Sequence, residues 1–130
     1  MEENWQQQTL ENLEKTSGKE PDFGDNRSQK IYALRQTPLN QFRTEDIRLL
    51  VAEEISLPYL IPLALETLTK NPFAEGEYYP GDLFQSVLNV DLNFWLTNRP
   101  FWQYIHQLII NNSFELEDRG INPERFLELS

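Results

Sequence analysis

Apolar residues recur three or four positions apart along most of the chain, which is the spacing of helices with one buried face. The clearest helix begins after an N-cap at Thr44, and Glu45 and Asp46 would then face the positive end of the helix dipole. No segment alternates apolar and polar residues as a half-buried strand does. The pattern therefore predicts an all-α fold of seven to eight short helices. The apolar stripe of the clearest helix comprises Ile47, Leu50, Val51 and Ile55.

An irregular segment separates the central helices. Residues 71–81, NPFAEGEYYPG, contain two prolines and two glycines, a composition typical of an ordered loop. Before this loop, the apolar block of residues 57–65 predicts a helix that begins near Pro58 or Pro62, because proline is tolerated in a first turn and not in an interior. After the loop, Asp82 is predicted to cap a short helix.

The N-terminal part of the chain is its most polar part. Residues 4–15 predict a short helix, and residues 16–27, TSGKEPDFGDNR, have the composition of a linker. We therefore expect a polar helix and linker over residues 1–27 and a helical domain over residues 28–130. A chain of this length suits one compact domain overall.

Composition excludes several classes of function. The chain has 130 residues with no Cys and one His, so thiolate catalysis, disulfides and zinc clusters lack their side chains. The 21 acidic and 11 basic residues give a net charge of −10, which repels phosphate backbones and anionic lipids. We predict no direct binding to nucleic acid or membrane, no catalytic or metal site and no cofactor. The lone His106 is expected to be structural, because no partner residue for catalysis stands near it in the sequence.

The acidic residues are concentrated in the middle of the chain. Residues 71–98 contain four acids and no Lys or Arg, and residues 49–98 contain seven acids against Lys70 alone. Tyr78 and Tyr79 lie among these acids, and tyrosine is favoured at the centre of protein interfaces. An acidic protein of this kind is suited to cover a cationic nuclease cleft, since its carboxylates imitate the polyanionic substrate. An equally good interpretation is a solvated acidic face with both tyrosines packed onto the core.

Two further interpretations of the central segment remain open. Glu75, Glu77 and Asp82 supply oxygen ligands for a metal-dependent hydrolase, although their spacing lacks the ladder of a calcium loop. Residues 57–65 would instead form a groove for an amphipathic peptide in a helical adaptor. A contiguous exposed apolar patch would favour the adaptor, and binding of Mg²⁺ or Ca²⁺ would favour the hydrolase.

Several short motifs follow one another through the central sequence. They are Leu34-Arg35 with Pro38-Leu39, the helix start EDIR at Glu45 to Arg48, Leu57 with LIPLAL at residues 60–65, NPFAEG at residues 71–76 and YPGDL at residues 79–83. In this order and spacing they resemble the marks of the bacterial contact-dependent growth inhibition (CDI) immunity proteins. The resemblance covers about residues 30–95, and residues 9–15 are similar to the N-terminal helix of that family.

The resemblance implies a cytoplasmic, non-enzymatic protein that binds the C-terminal toxin domain of a contact-delivered CdiA effector and blocks it. Such toxins are commonly nucleases, several of them RNases, and inhibition usually occludes the active site. The implied partner is thus a basic toxin domain, held in a 1:1 heterodimer. The residues that we predict to contact it are Glu75, Glu77, Tyr78, Tyr79 and Asp82, with Glu53 and Glu54 as second choices.

Overall fold

The computed structural model describes residues 4–16 and 25–130, and helices account for most of these residues. Within that part of the chain there are nine α-helices, two 3-10 turns at Trp5–Gln7 and Leu39–Gln41, and no β-strand. An isolated bridge joins Glu75 to Pro80 across the central loop. The predicted all-α fold is confirmed. The helices are α1 Leu10–Glu14, α2 Asn26–Arg35, α3 Thr44–Ala52, α4 Leu57–Lys70, α5 Asp82–Leu88, α6 Leu92–Leu96, α7 Arg99–Asn111, α8 Ser113–Asp118 and α9 Glu124–Leu127.

Helix α3 lies at the centre of the fold and packs against both α4 and α5. Its start differs by one residue from the prediction, because Arg43 and not Thr44 occupies the N-cap position. The Asp46 carboxylate accepts a hydrogen bond from the Arg43 backbone N–H at 2.9 Å. An acid in the first turn thus pairs with a backbone N–H at the N-terminal end of the helix. Asp46 is 5% exposed, and Lys30 Nζ lies 3.5 Å from its carboxylate.

Helix α4 contains both prolines of the apolar block. Pro58 lies in its first turn as predicted, whereas Pro62 lies inside the helix. The amide that Pro62 lacks would have paired with the carbonyl of Pro58, which belongs to an exposed residue in the first turn. Because water reaches this end of the helix, the missing hydrogen bond is tolerated there.

The N-terminal segment packs onto the same core as the central helices. Leu10 is completely buried, and the Glu14 carboxylate accepts hydrogen bonds at 2.9 Å from both Arg35 Nη1 and the Ser56 hydroxyl. Most of the predicted linker, residues 17–24, lies outside the described residues. The division of the chain at residue 27 therefore stays a prediction.

Aromatic stacking joins the C-terminal helices to one another. The Trp102 ring on α7 stacks on Phe126 of α9 at 5.4 Å and on His106 at 4.8 Å between ring centroids. Trp102 Nε1 also donates a hydrogen bond to the Phe126 carbonyl at 3.2 Å. His106 is half-buried in this stack. Its ring packs on the fold as expected for a structural histidine.

Candidate functional site

The loop between α4 and α5, residues 71–81, carries exposed acidic and aromatic side chains. Tyr78 is 65% exposed and Tyr79 is 44% exposed, and Glu75 and Glu77 are exposed as well. The two tyrosines are therefore not packed into the core. The loop presents two carboxylates and two phenol rings to solvent.

The buried carboxylate of Asp82 holds this loop from below. Its Oδ1 accepts a hydrogen bond from Gly76 N–H at 2.7 Å, and its Oδ2 accepts from Tyr78 N–H at 3.0 Å and Tyr79 N–H at 3.4 Å. The prediction that Asp82 caps α5 is wrong, because Gly81 occupies the cap position and Asp82 is the first helical residue. Asp82 was also expected among the contact residues, but it is only 3% exposed. It supports the loop instead of presenting its charge to a partner.

A second carboxylate, that of Glu45 on α3, holds the loop from the side. Glu45 Oε2 accepts a hydrogen bond from Glu77 N–H at 2.7 Å. Arg48 Nε donates to the two Glu45 oxygens at 2.8 and 2.7 Å, and its guanidinium lies 4.7 Å from the centroid of the Tyr78 ring. The hydrogen bond with Glu45 raises the pKa of Arg48 above its already high ordinary value. Helix α3 thereby fixes both the loop backbone and one of its tyrosines.

Gly76 allows the two carboxylates to converge on the loop. A Cβ atom at this position would lie 2.6 Å from Glu45 Oε2 and 3.0 Å from Asp82 Oδ2. A side chain at position 76 would therefore have to displace the Glu45 carboxylate, whereas glycine lets the backbone approach both acids directly. The glycine of the NPFAEG motif thus has an explanation in the loop geometry.

A cleft of about 530 Å³ lies between α2, α3 and the loop. It brings together three of the predicted residues, Glu53, Glu77 and Tyr78. The cleft is balanced in charge, because Arg27 Nη1 contacts the Glu53 carboxylate at 2.5 Å and this hydrogen bond raises the pKa of Arg27. Three acids and three bases line the cleft, namely Glu45, Glu53, Glu77, Arg27, Lys30 and Arg48.

The other predicted residues lie outside the cleft. Glu54 is exposed just after α3 and adopts a left-handed backbone conformation with φ of 55°. Glu75 and Tyr79 belong to the outer part of the loop and do not line the cleft. The structure therefore gathers Glu75, Glu77, Tyr78 and Tyr79 on one loop, with Glu53 across the cleft. Arg48 and Glu45, which sequence reasoning did not assign to the site, are its supports.

The interpretation as a metal-dependent hydrolase is not supported by a ligand cluster in residues 4–16 and 25–130. No group of three or more His, Cys, Asp or Glu there is arranged to hold a metal ion. Both oxygens of Asp82, the buried member of the expected ligand set, already accept hydrogen bonds from backbone N–H groups.

Over residues 4–16 and 25–130, no helix is both long and apolar enough to cross a membrane.

Most of the apolar block of residues 57–65 belongs to the core, and only Pro62 and Leu65 of the block line a surface pocket, of about 570 Å³. Most of its large side chains are shielded from solvent, with Leu60 and Ile61 completely buried and Leu57 and Leu63 at most 7% exposed. An amphipathic peptide cannot reach side chains that pack inside the fold. Within the block, the adaptor interpretation therefore retains only the pocket beside Pro62 and Leu65.

Comparison with known proteins identifies the family. The family described as CDI immunity proteins matches residues 11–105, well over half of the 130-residue chain. No curated protein and no solved structure matches the chain significantly. The matched region begins within α1 and ends within α7, and it includes the loop with both of its supporting carboxylates. The chain therefore belongs to the CDI immunity proteins, which protect a cell from the toxin of a CDI system.

Proposed function

We propose that this immunity protein neutralises the C-terminal toxin domain of its CdiA effector by placing the 71–81 loop over the toxin's active site. The observation that carries the proposal is a solvent-facing loop whose backbone is fixed from two sides. Asp82 and Glu45 together accept hydrogen bonds from Gly76, Glu77, Tyr78 and Tyr79. A loop that is ordered before binding loses little conformational entropy in the complex, which favours tight association.

The charge of the chain supports a nuclease as the toxin. A net charge of −10 favours a cationic partner, and nuclease sites are cationic because they bind phosphates. In the neighbouring cleft, Glu53 is paired with Arg27 and Glu45 with Arg48. Among the described residues no ion pair involves the exposed Glu75 or Glu77, so these two carboxylates remain for a partner. We propose that these two side chains occupy positions that substrate phosphates would take.

The two tyrosines would supply the apolar part of the interface. Tyr78 is held against Arg48 while most of its ring stays exposed, and Tyr79 follows it on the same loop. Large rigid rings with a polar tip are enriched among residues that dominate binding energy. We propose one immunity protein per toxin domain, acting in the cytoplasm where a delivered nuclease meets nucleic acid.

The direct test mixes this protein with the purified toxin domain encoded by the neighbouring gene. Cleavage of RNA and of DNA is measured as the immunity protein is titrated in, and the mass of the complex is measured by light scattering. We expect cleavage to stop at one immunity protein per toxin domain. Full cleavage in the presence of excess immunity protein would contradict the proposal.

Reversing one charge on the loop should slow association with the toxin. For Glu75→Lys or Glu77→Lys we expect an association rate about tenfold lower at low salt, because electrostatic steering sets the rate of encounter. The difference should shrink as salt screens the charges. Stopped-flow mixing at several ionic strengths measures it.

Glu66→Lys provides the matched control, since Glu66 is an exposed acid on α4 that contacts Gln6 at the surface. This variant changes the net charge by the same amount away from the loop. Equal slowing in the control and the loop variants would assign the effect to net charge and would count against the loop.

A further inference from the structure

A second groove lies at the C-terminal end of the fold, between α8 and α9. Its volume is about 520 Å³, and its floor includes Leu116 and Ile121, which are 1% and 3% exposed. Glu117 and Glu124 line it, and none of the described lining residues is Lys or Arg. In contrast to the cleft beside the loop, this groove combines an apolar floor with carboxylates that no cation in its lining balances.

An exposed phenylalanine stands next to this groove on α8. Phe114 is 79% exposed, and Ile110 four residues earlier is 54% exposed. The neighbouring Ser113 and Leu116 line the groove itself. An aromatic ring left in water contributes little to folding, whereas its burial in a partner would be worth about 1.5–3 kcal/mol. Helix α8, SFELED, surrounds Phe114 with acids.

The groove lies directly beside the 71–81 loop. The Arg119 guanidinium at the end of α8 lies 4.8 Å from the centroid of the Phe73 ring in the loop. Ile121 in the groove floor packs directly against Gly81 at the end of the loop. The groove therefore adjoins the two ends of the loop, where Phe73 and Gly81 lie.

We propose that the α8–α9 groove and Phe114 form a second contact surface for the same basic toxin domain. The groove fits an apolar side chain flanked by Lys or Arg on the toxin, while Phe114 enters an apolar pocket of the partner. A second copy of this chain is disfavoured as the occupant, because each copy carries a charge of −10 and the groove is acidic. The inference rests on the proposed toxin-binding function and extends it to residues beyond the family match, which ends at residue 105.

The test measures the kinetics of binding to the purified toxin domain by surface plasmon resonance. Phe114→Ala should raise the dissociation rate about tenfold, because a lost aromatic anchor acts on the lifetime of a complex. Glu117→Lys should lower the association rate about tenfold at low salt, and this effect should fade at high salt. Leu96→Ala and Glu66→Lys are the matched controls, since Leu96 is 55% exposed on α6 and Glu66 is exposed on α4. Both controls should bind as the wild type does.

The outcomes separate this inference from the proposed function. Wild-type protein that binds the toxin, with Phe114→Ala and Glu117→Lys unchanged, would overturn the second surface and leave toxin binding intact. Wild-type protein that does not bind would overturn the proposed function itself. A free protein that dimerises through Phe114, shown by light scattering as a dimer that Phe114→Ala dissociates, would assign the groove to a second copy and overturn the inference.

Discussion

Replacing Gly81 with alanine is expected to lower the free energy of unfolding by about 3 kcal/mol. Gly81 has a φ of +95°, a left-handed conformation that costs an L-residue about 1 kcal/mol or more. A Cβ at this position would overlap Ile121 Cδ1, so the buried Ile121 side chain would have to shift. Forcing a methyl group into such a contact costs about 1–3 kcal/mol more. Urea denaturation followed by circular dichroism measures the change.

Gly120→Ala separates these two causes. Gly120 also has a positive φ, +72°, but no heavy atom lies within 4 Å of its Cβ position. The free energy of unfolding of Gly120→Ala should therefore fall by only about 1 kcal/mol, the cost of the left-handed backbone conformation for alanine. Equal losses for the two variants would show that the overlap with Ile121 is relieved at little cost, contrary to the packing described for the loop and the groove.

Replacing Asp82 with alanine is expected to destabilise the fold by about 3 kcal/mol and to disorder the loop. The carboxylate is buried, and its loss leaves the N–H groups of Gly76, Tyr78 and Tyr79 without their acceptor. A buried or half-buried donor left unpaired costs about 1–3 kcal/mol. Denaturant titration measures the stability, and hydrogen exchange at these three amides measures the order of the loop.

Asp91→Ala is the matched control for the loss of a carboxylate. Asp91 caps α6 and accepts one hydrogen bond, from Asn93 N–H at 2.8 Å, so about 1 kcal/mol should be lost. If the loop is the contact surface, Asp82→Ala should also weaken toxin binding at least tenfold under conditions where the protein stays folded. Faster amide exchange in the loop with unchanged toxin affinity would show that the order of the loop before binding does not contribute to affinity.

Much of the fold follows from local signals in the sequence. Pro100 and the Asn71-Pro72 pair mark helix ends where the structure has them, and the apolar block of residues 57–65 is helical and buried. These helices can be predicted from the spacing of apolar residues because each helix buries one face. The role of Asp82 in holding the loop could not be predicted, because its carboxylate accepts hydrogen bonds from earlier loop residues whose position depends on tertiary packing.

The candidate site was predicted in part. Glu75, Glu77, Tyr78 and Tyr79 lie exposed on one loop, which composition and loop residues had indicated. The charge balance of the cleft was missed, because the cations Arg27 and Lys30 come from α2, far outside the acidic stretch in sequence. A count of charges along the sequence does not include cations that a different helix places beside the acidic residues in the fold.

The residues that support the loop could be predicted less well from the sequence. Glu45 and Arg48 stand three residues apart at the start of α3, which is the spacing of a helical ion pair. That spacing suggests an interaction between the two side chains but not that Glu45 also binds the backbone of Glu77. Gly76 likewise looks like an ordinary loop glycine until the two carboxylates beside it are seen.

In the proposed complex, the acidic loop of this immunity protein covers the cationic site where the toxin binds nucleic acid. Competition for the toxin domain between the immunity protein and a non-cleavable oligonucleotide tests it most directly, with fluorescence anisotropy of the labelled oligonucleotide as the readout. We expect mutually exclusive binding, so that one equivalent of immunity protein releases the oligonucleotide completely. A stable ternary complex, in which the oligonucleotide stays bound while the immunity protein is also bound, would contradict the claim.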